Sequence, residues 1–274
     1  MPMPLYMAEC LDCGLEFYDK PLSDAQIDLI YDRDYFQSDW CWFRKPYEAV
    51  WTQRKEEFER FQLPLIKSAK PHGKLMELGC AGGATVKAFS DAGYDAMGVE
   101  LNERIADWGR KTLGVNIVNA DISRKDFVAR YGQFDVLYMS DVLEHVNEPN
   151  ALLSALRNLL NESGVLVIEV PFEINRFSSK VIRLYQKLRR RGYVATAKPY
   201  HIIFFTPKSF VRSCEKAGYQ VISLRTWKEH VLTEIDLGRM PWKERLLSRL
   251  DHLLPCLLPK LFDDRGLIFL AKSI

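Results

Sequence analysis

The chain has 274 residues, 47% hydrophobic and 27% charged, with 15 Gly and 13 Pro, which suits a globular protein and excludes collagen-like, coiled-coil and disordered classes. Lys and Arg number 38 against 36 Asp and Glu, a formal charge of +2; without a global basic field, nucleic acid is not an expected partner. The six cysteines form no disulfide framework, Met1–Leu11 is no secretory leader, and no run reaches the roughly 18 apolar residues of a spanning helix, so a reducing cytoplasm is the expected compartment.

Residues 1–45 read as an irregular N-terminal appendage crowded with Tyr31, Tyr35, Phe36, Trp40, Trp42 and Phe43. Pro46 then precedes a helix predicted over 49–67, whose Val50, Phe58, Phe61 and Leu65 mark one face. From Lys74 strands and helices alternate. Strands are expected at 75–78, 94–99, 115–118 and 134–139, with helices at 84–92 and 103–113. Pro149 and Asn150 open a helix in which Leu152, Leu153, Leu156, Leu159 and Leu160 recur at helical spacing, and Gly164 stops it. A strand over 165–170, a helix near 207–217, and strands at 219–224 and 267–271 complete the pattern. Near-continuous apolar strands alternating with helices predict a parallel sheet covered on both faces. Residues 46–274 are expected to form the main domain, with insertions at 172–200 and 227–264.

The strand at 75–78 runs into Glu77-Leu78-Gly79-Cys80-Ala81-Gly82-Gly83. A strand-to-helix turn of small residues lets a ligand approach the backbone at the carboxyl edge of the sheet. The dinucleotide register, G-x-G-x-x-G, fits badly, because its second and third glycines fall on Ala81 and Ala84. The register acid-x-Gly-x-Gly-x-Gly is met at Glu77, Gly79 and Gly83, with Ala81 in the middle slot. A carboxylate just before the turn suits an amino or cationic group and repels phosphate.

In these residues the chain resembles class I S-adenosylmethionine-dependent methyltransferases. The resemblance implies a Rossmann-like, seven-stranded, mostly parallel sheet with its last strand antiparallel. It places cofactor contacts at Glu77, Gly79, Ala81 and Gly83, at Glu100 with Leu101 for the ribose hydroxyls, at Asp121 with Ile122 for the adenine, and at Ser140. Leu143-Glu144-His145-Val146 is similar to a signature of the subgroup containing ubiquinone-biosynthesis, sugar and natural-product methyltransferases. Pro199-Tyr200-His201 through Pro207, and Ala217-Gly218-Tyr219, extend that likeness. The middle-slot alanine is its one departure from the first motif.

A sulfonium methyl donor leaves as a neutral thioether, so alignment of the acceptor dominates, and a base is needed only for an acceptor proton of high pKa. His145, after the fourth strand, is the candidate base, since imidazole titrates near neutrality; packing against the next helix is its other reading. His201 is a second candidate base and, with Tyr200, a candidate acceptor contact. Ser140-Asp141-Val142-Leu143 lacks the motif that holds a flipped base, which argues against nucleic-acid methylation. The expected reaction is O-methylation of a small or carrier-linked hydroxylated molecule, a sugar among the options. N- or C-methylation and a silent cofactor-binding protein are the alternatives.

Residues 172–200 carry eight basic side chains and one acid, Glu173. Arg189, Arg190 and Arg191 there suit an anionic acceptor or an anionic membrane face, or else form a solvated helix. The leucines of 246–261 make one stripe, broken by Pro255 and Pro259: a lid, a dimer seam or a shallow membrane contact. Cys10-x-x-Cys13-Gly14 resembles half of a zinc ribbon. A closed tetrahedral site needs four ligands and no first cysteine pair precedes these two, so no metal is expected.

Overall fold

The computed structural model describes residues 7–20, 23, 47–124, 126–175, 177–188, 201–227 and 265–272. The predicted appendage contributes strands β1 (Met7–Glu9) and β2 (Glu16–Tyr18), joined by a tight turn at Cys10–Gly14. The predicted 49–67 helix is two helices, α1 (Trp51–Phe61) and α2 (Leu63–Ala69). Pro64 sits in the first turn of α2, where a missing N–H costs nothing, and it breaks the continuous helix that periodicity suggested. Phe61, expected on the buried face, is 58% exposed, while Leu63 and Ile66 of α2 are buried instead.

The alternating region follows in order: β3 (Lys74–Leu78), α3 (Ala84–Asp91), β4 (Asp95–Glu100), α4 (Glu103–Leu113), β5 (Ile117–Asn119), β6 (Phe134–Ser140) and α5 (Pro149–Leu156). Then come β7 (Leu160–Pro171), α6 (Phe177–Leu188), β8 (Ile203–Phe204), α7 (Pro207–Lys216), β9 (Tyr219–Trp227) and β10 (Arg265–Lys272). The helix predicted from Pro149 to Gly164 ends at Leu156; Arg157–Leu159 is one 3-10 turn and Leu160 already opens β7. Leu160 pairs with Phe134 across the sheet. Leu159 and Leu160 are buried whichever element carries them, so apolar recurrence over this short run misplaced the boundary.

Seven strands form one sheet in the order β5-β4-β3-β6-β7-β10-β9. Pairings among β3 to β7 are parallel, and β10 runs antiparallel to both β7 and β9. Alternate side chains feed two apolar layers, as the strand period of two demands. Met76, Leu137, Met139 and Ile168 pack with Leu153 of α5 and Phe210 of α7. Leu75, Val136, Tyr138 and Val167 pack with Phe58 of α1, Ile66 of α2 and Phe89 of α3.

A second, three-stranded sheet, β1-β2-β8, ties the N-terminal hairpin to the segment after α6. Glu16 pairs with Phe204 and Phe17 with Ile203, and Tyr18 is buried in the larger of the two layers. Thr206 donates its hydroxyl to the Cys13 carbonyl at 2.9 Å, and Arg212 pairs with Asp12. The guanidinium of Arg183, on the basic helix α6, meets Glu16 of β2.

Candidate active site

At the carboxyl edge of the sheet β3 turns through Gly79–Gly83 into α3. Gly79 has φ +73°, and a Cβ there would lie 2.4 Å from Val142 Cγ2, so a side chain is excluded both by conformation and by space. Ala81 occupies the middle slot at φ +48°, a left-handed backbone that glycine adopts without strain. The first amides of α3 are satisfied from a distance. Ala84 N–H donates to Tyr47 Oη at 2.9 Å. Val86 N–H and the Thr85 hydroxyl reach the carboxylate of Glu77. Burial pushes Glu77 up to about 8, with the Arg54 guanidinium opposing, and its Oε2 has no hydrogen-bond partner among the described residues.

Glu100 ends β4 beside this turn. Its Oε2 accepts from Ala81 N–H at 2.8 Å and its Oε1 from Asn102 N–H at 2.7 Å. Burial raises it while these amides pull the other way. A carboxylate has about four lone-pair positions, so both oxygens keep capacity for further donors. Leu101 is 54% exposed at the same edge, an apolar side chain left uncovered by the chain. Asp121 accepts from Ser123 N–H at 2.8 Å and from its hydroxyl at 2.6 Å through one oxygen, Oδ1. Asp121 thus caps the turn at Ser123 through one oxygen only. Ile122 is half-buried against the core. Ser140, ending β6, lies 3.3 Å from Asp141 Oδ2 and 3.4 Å from Glu169 Oε2.

Beyond Ser140 the chain enters the 3-10 turn Leu143–His145. Glu144 is 1% exposed, and no side-chain donor reaches hydrogen-bond distance of either of its oxygens among the described residues. Its Oε1 lies 3.9 Å from His145 Nε2 and 3.8 Å from His201 Nε2. The two imidazoles meet edge to face, with centroids 4.7 Å apart, and one donor atom from each of the three residues falls within 4.8 Å of the others. Ile202 N–H donates to the Glu144 carbonyl at 2.9 Å, which hangs the His201 segment from this turn. His201 Nδ1 faces Glu173 Oε1 at 3.3 Å. Burial works against charge on His201, but Glu173, Glu144 and Asp141 outweigh it and raise its pKa to about 9. Burial lifts Glu144 to about 8 against the attraction of His201.

A methyltransferase-domain family profile matches residues 50–224, well over half of the chain. The chain belongs to the class I S-adenosylmethionine-dependent methyltransferases. Among its relatives is the ubiquinone biosynthesis O-methyltransferase of Aromatoleum aromaticum, 25% identical over 169 residues, covering 59% of this chain and 70% of that one. The protein of the same name from Thiobacillus denitrificans is 26% identical over 172 residues, covering 59% and 71%. A solved S-adenosylmethionine-dependent methyltransferase from Archaeoglobus fulgidus shares the fold, with a TM-score of 0.57 at 20% identity, over 88% of this chain and all of that one.

The methyltransferase gathers Glu77, Gly79, Ala81, Gly83, Glu100 and Leu101 at one edge, with Ser140, His145 and His201 across the Gly79–Val142 contact. The residues fit the cofactor: Glu77 has an oxygen without a hydrogen-bond partner for an amino group, and Glu100 keeps acceptor capacity for hydroxyls. Tyr200, Arg189, Arg190, Arg191 and the leucines of 246–261 lie outside the described residues, as do the aromatic residues of 31–43. Cys10 and Cys13 share the β1–β2 turn, where amides of Cys13 and Asp12 lower the Cys10 thiol; among the described residues no third metal-binding group joins them.

Sequence reasoning missed Tyr47, Arg54, Glu173 and Arg265. Tyr47 follows Pro46 and its burial was unpredicted; its hydroxyl holds α3 at Ala84. Arg54 looked like one charge among many on α1, yet it faces Glu77 and Asp141. Glu173 was visible only as the single acid among eight bases. Arg265 carried no signal except being a charge at the start of an apolar strand.

Proposed function

We propose that the methyltransferase O-methylates a small or carrier-linked hydroxylated acceptor, sugars included, with His145 as the base. The observation that carries this is Glu144: a buried carboxylate without a side-chain donor, set between two imidazoles and next to the turn that fits the cofactor. A buried carboxylate left without a donor is costly, and an acceptor hydroxyl supplies one. When bound, S-adenosylmethionine supplies the electrophilic methyl and departs as a neutral thioether.

Three acids keep His201 protonated near neutrality, so of the two rings His145 is the one assigned to receive the acceptor's proton. His201, charged, pulls Glu144 towards its ionised form against the burial that lifts it. The reacting hydroxyl's proton passes to His145 while a second hydroxyl of the acceptor donates to Glu144, and the oxygen so freed takes the methyl group. The relatives named O-methyltransferase support oxygen as the accepting atom. The basic residues of 172–200 favour an acceptor with a negative group or a carrier phosphate, and six cysteines without a disulfide framework favour the cytoplasm as compartment. No helix among the described residues is long and apolar enough to cross a membrane.

The test is transfer of radiolabelled methyl to a panel of hydroxylated aromatics, sugars and carrier-linked compounds, repeated with His145→Ala. The variant should lose roughly 10²–10⁴-fold in kcat and keep its affinity for S-adenosylhomocysteine. Full turnover by a folded His145→Ala would remove the base role, and methylation only of amines or carbon acids would remove the O-methyl assignment. Loss of turnover on dialysis against EDTA, restored by a divalent cation, would make Glu144 a cation ligand instead of an acceptor contact.

A further inference from the structure

Arg265 belongs to no motif of the fold, yet it is the hub of a buried charged cluster. It opens β10, 8% exposed. Its guanidinium grips both carboxylate oxygens of Asp141, with Nη2 to Oδ2 at 2.9 Å. Nη2 also lies 2.8 Å from Glu169 Oε1 on β7. The other oxygen of Glu169 accepts from Gln62, between α1 and α2, at 3.2 Å and from Ser140 on β6 at 3.4 Å. Asp141 N–H in turn donates to the Glu169 carbonyl at 3.2 Å. The ends of β6, β7 and β10 and the α1–α2 junction are thereby joined through one cation.

Such a cluster is a poor way to gain stability, because desolvating three charges offsets their attraction and apolar packing would serve the sheet as well. What it fixes is a conformation. Asp141 has φ +53°, left-handed and not glycine, and a residue persists there only when its surroundings over-determine it. That reversal aims Val142 at Gly79 and starts the 3-10 turn bearing Glu144 and His145. One short loop therefore touches the cofactor turn on one side and holds the imidazole pair on the other.

We infer that Arg265 is a positioning residue for methyl transfer: by clamping Asp141 in the left-handed conformation it holds residues 141–146 in register between the Gly79 turn and His201. The inference rests on the functional reading above only for the role of His145; the clamp is tested without an acceptor. Arg265→Lys keeps the charge and loses the two-pronged grip, and Asp141→Asn keeps the size and loses the ion pair. Amide hydrogen exchange and calorimetry with S-adenosylhomocysteine would be measured on both. Protection of the Asp141, His145, Val146 and Ile202 amides should fall by about tenfold or more while that of Leu75–Leu78 in β3 stays at the wild-type level, as expected for local opening. Affinity for S-adenosylhomocysteine should change by less than about threefold, the loop being displaced while the turn that binds it is intact. With an acceptor from the panel, kcat should fall by at least about tenfold at little-changed KM, since misplacement by about 1 Å can cost 10²-fold.

Unchanged protection at 141–146 in a folded Arg265→Lys overturns the inference. So does a loss spread evenly over β3, β6 and β7, which would make the cluster a general brace. Failure of both variants to fold overturns it as well, since the cluster would then carry the whole sheet. If the loop opens as expected but His145→Ala retains full turnover, the clamp stands and the base assignment falls.

Discussion

Replacing Glu100 with Gln tests whether β4 ends in a ribose ligand or only in a brace for the turn. In the structure each carboxylate oxygen already takes one amide, Ala81 on Oε2 and Asn102 on Oε1. A glutamine can serve only one of them, because its NH₂ group donates and cannot accept. The variant therefore leaves one backbone N–H facing a donor and also loses one contact to a ribose hydroxyl. Each lost partner of a charged acceptor is worth about 1–3 kcal/mol, and the turn's share falls on stability while the ribose share falls on affinity. S-adenosylhomocysteine should bind roughly 5–150-fold more weakly, the range that about 1–3 kcal/mol spans. Calorimetry with the natural product and with its 2′,3′-dideoxy analogue separates the two shares. The penalty of the substitution should nearly vanish with the analogue, which has no hydroxyls to lose. An equal penalty for both ligands would show that Glu100 acts only by holding Ala81 and Asn102, and the ribose assignment would fail.

Ala81→Gly should be tolerated with stability within about 1 kcal/mol of the parent, since relief of a left-handed alanine is offset by the freer unfolded chain. Ala81→Val, β-branched at φ +48°, should lower Tm and weaken S-adenosylhomocysteine binding; a valine variant with parental Tm and affinity would refute the strained turn. The His201 pKa, raised to about 9, contributes stability that is full below its unfolded value near 6.5 and is lost as pH rises through about 9. Glu144, raised to about 8, loses stability in the same direction. Tm should therefore fall between pH 6.5 and 9, and Glu173→Gln should flatten that fall; parallel Tm–pH curves would contradict the pairing. Replacing Arg189, Arg190 and Arg191 with Ser should raise KM for an anionic acceptor while sparing cofactor affinity. That effect should shrink with salt, because exposed charges are screened over about 10 Å at 0.1 M; an unaltered KM at low salt would leave these arginines as a solvated face.

Much of the cofactor side was legible because its determinants are local. Gly79, Ala81 and Gly83 lie within five positions, and the turn they build follows from backbone conformations that their small side chains permit. Glu100 could be placed because Gly98-Val99-Glu100 resembles the acid-ended second strand of class I methyltransferases. The same locality misled at Leu159 and Leu160, whose burial in a 3-10 turn and at the start of a strand extended an apolar run that reads as helix.

The acceptor side was legible only in part. His145 stood out by its position after a strand, but its surroundings come from far along the chain: Glu173 from just past β7, His201 from just before β8, Arg265 from the last strand. Whether a histidine is charged, and whether a carboxylate is left without a donor, depends on which distant groups the fold brings within a few ångströms and on how much water it removes. Sequence by itself determined the alternating pattern and the glycine turn, since those rest on contacts among near neighbours, and the resemblance added the acid closing β4. Tertiary packing decided that Glu144 is buried between two imidazoles, that Asp141 is held left-handed by Arg265, and that the N-terminal hairpin joins β8. These are contacts between residues tens to hundreds of positions apart, whose energies exist only once the sheet has assembled.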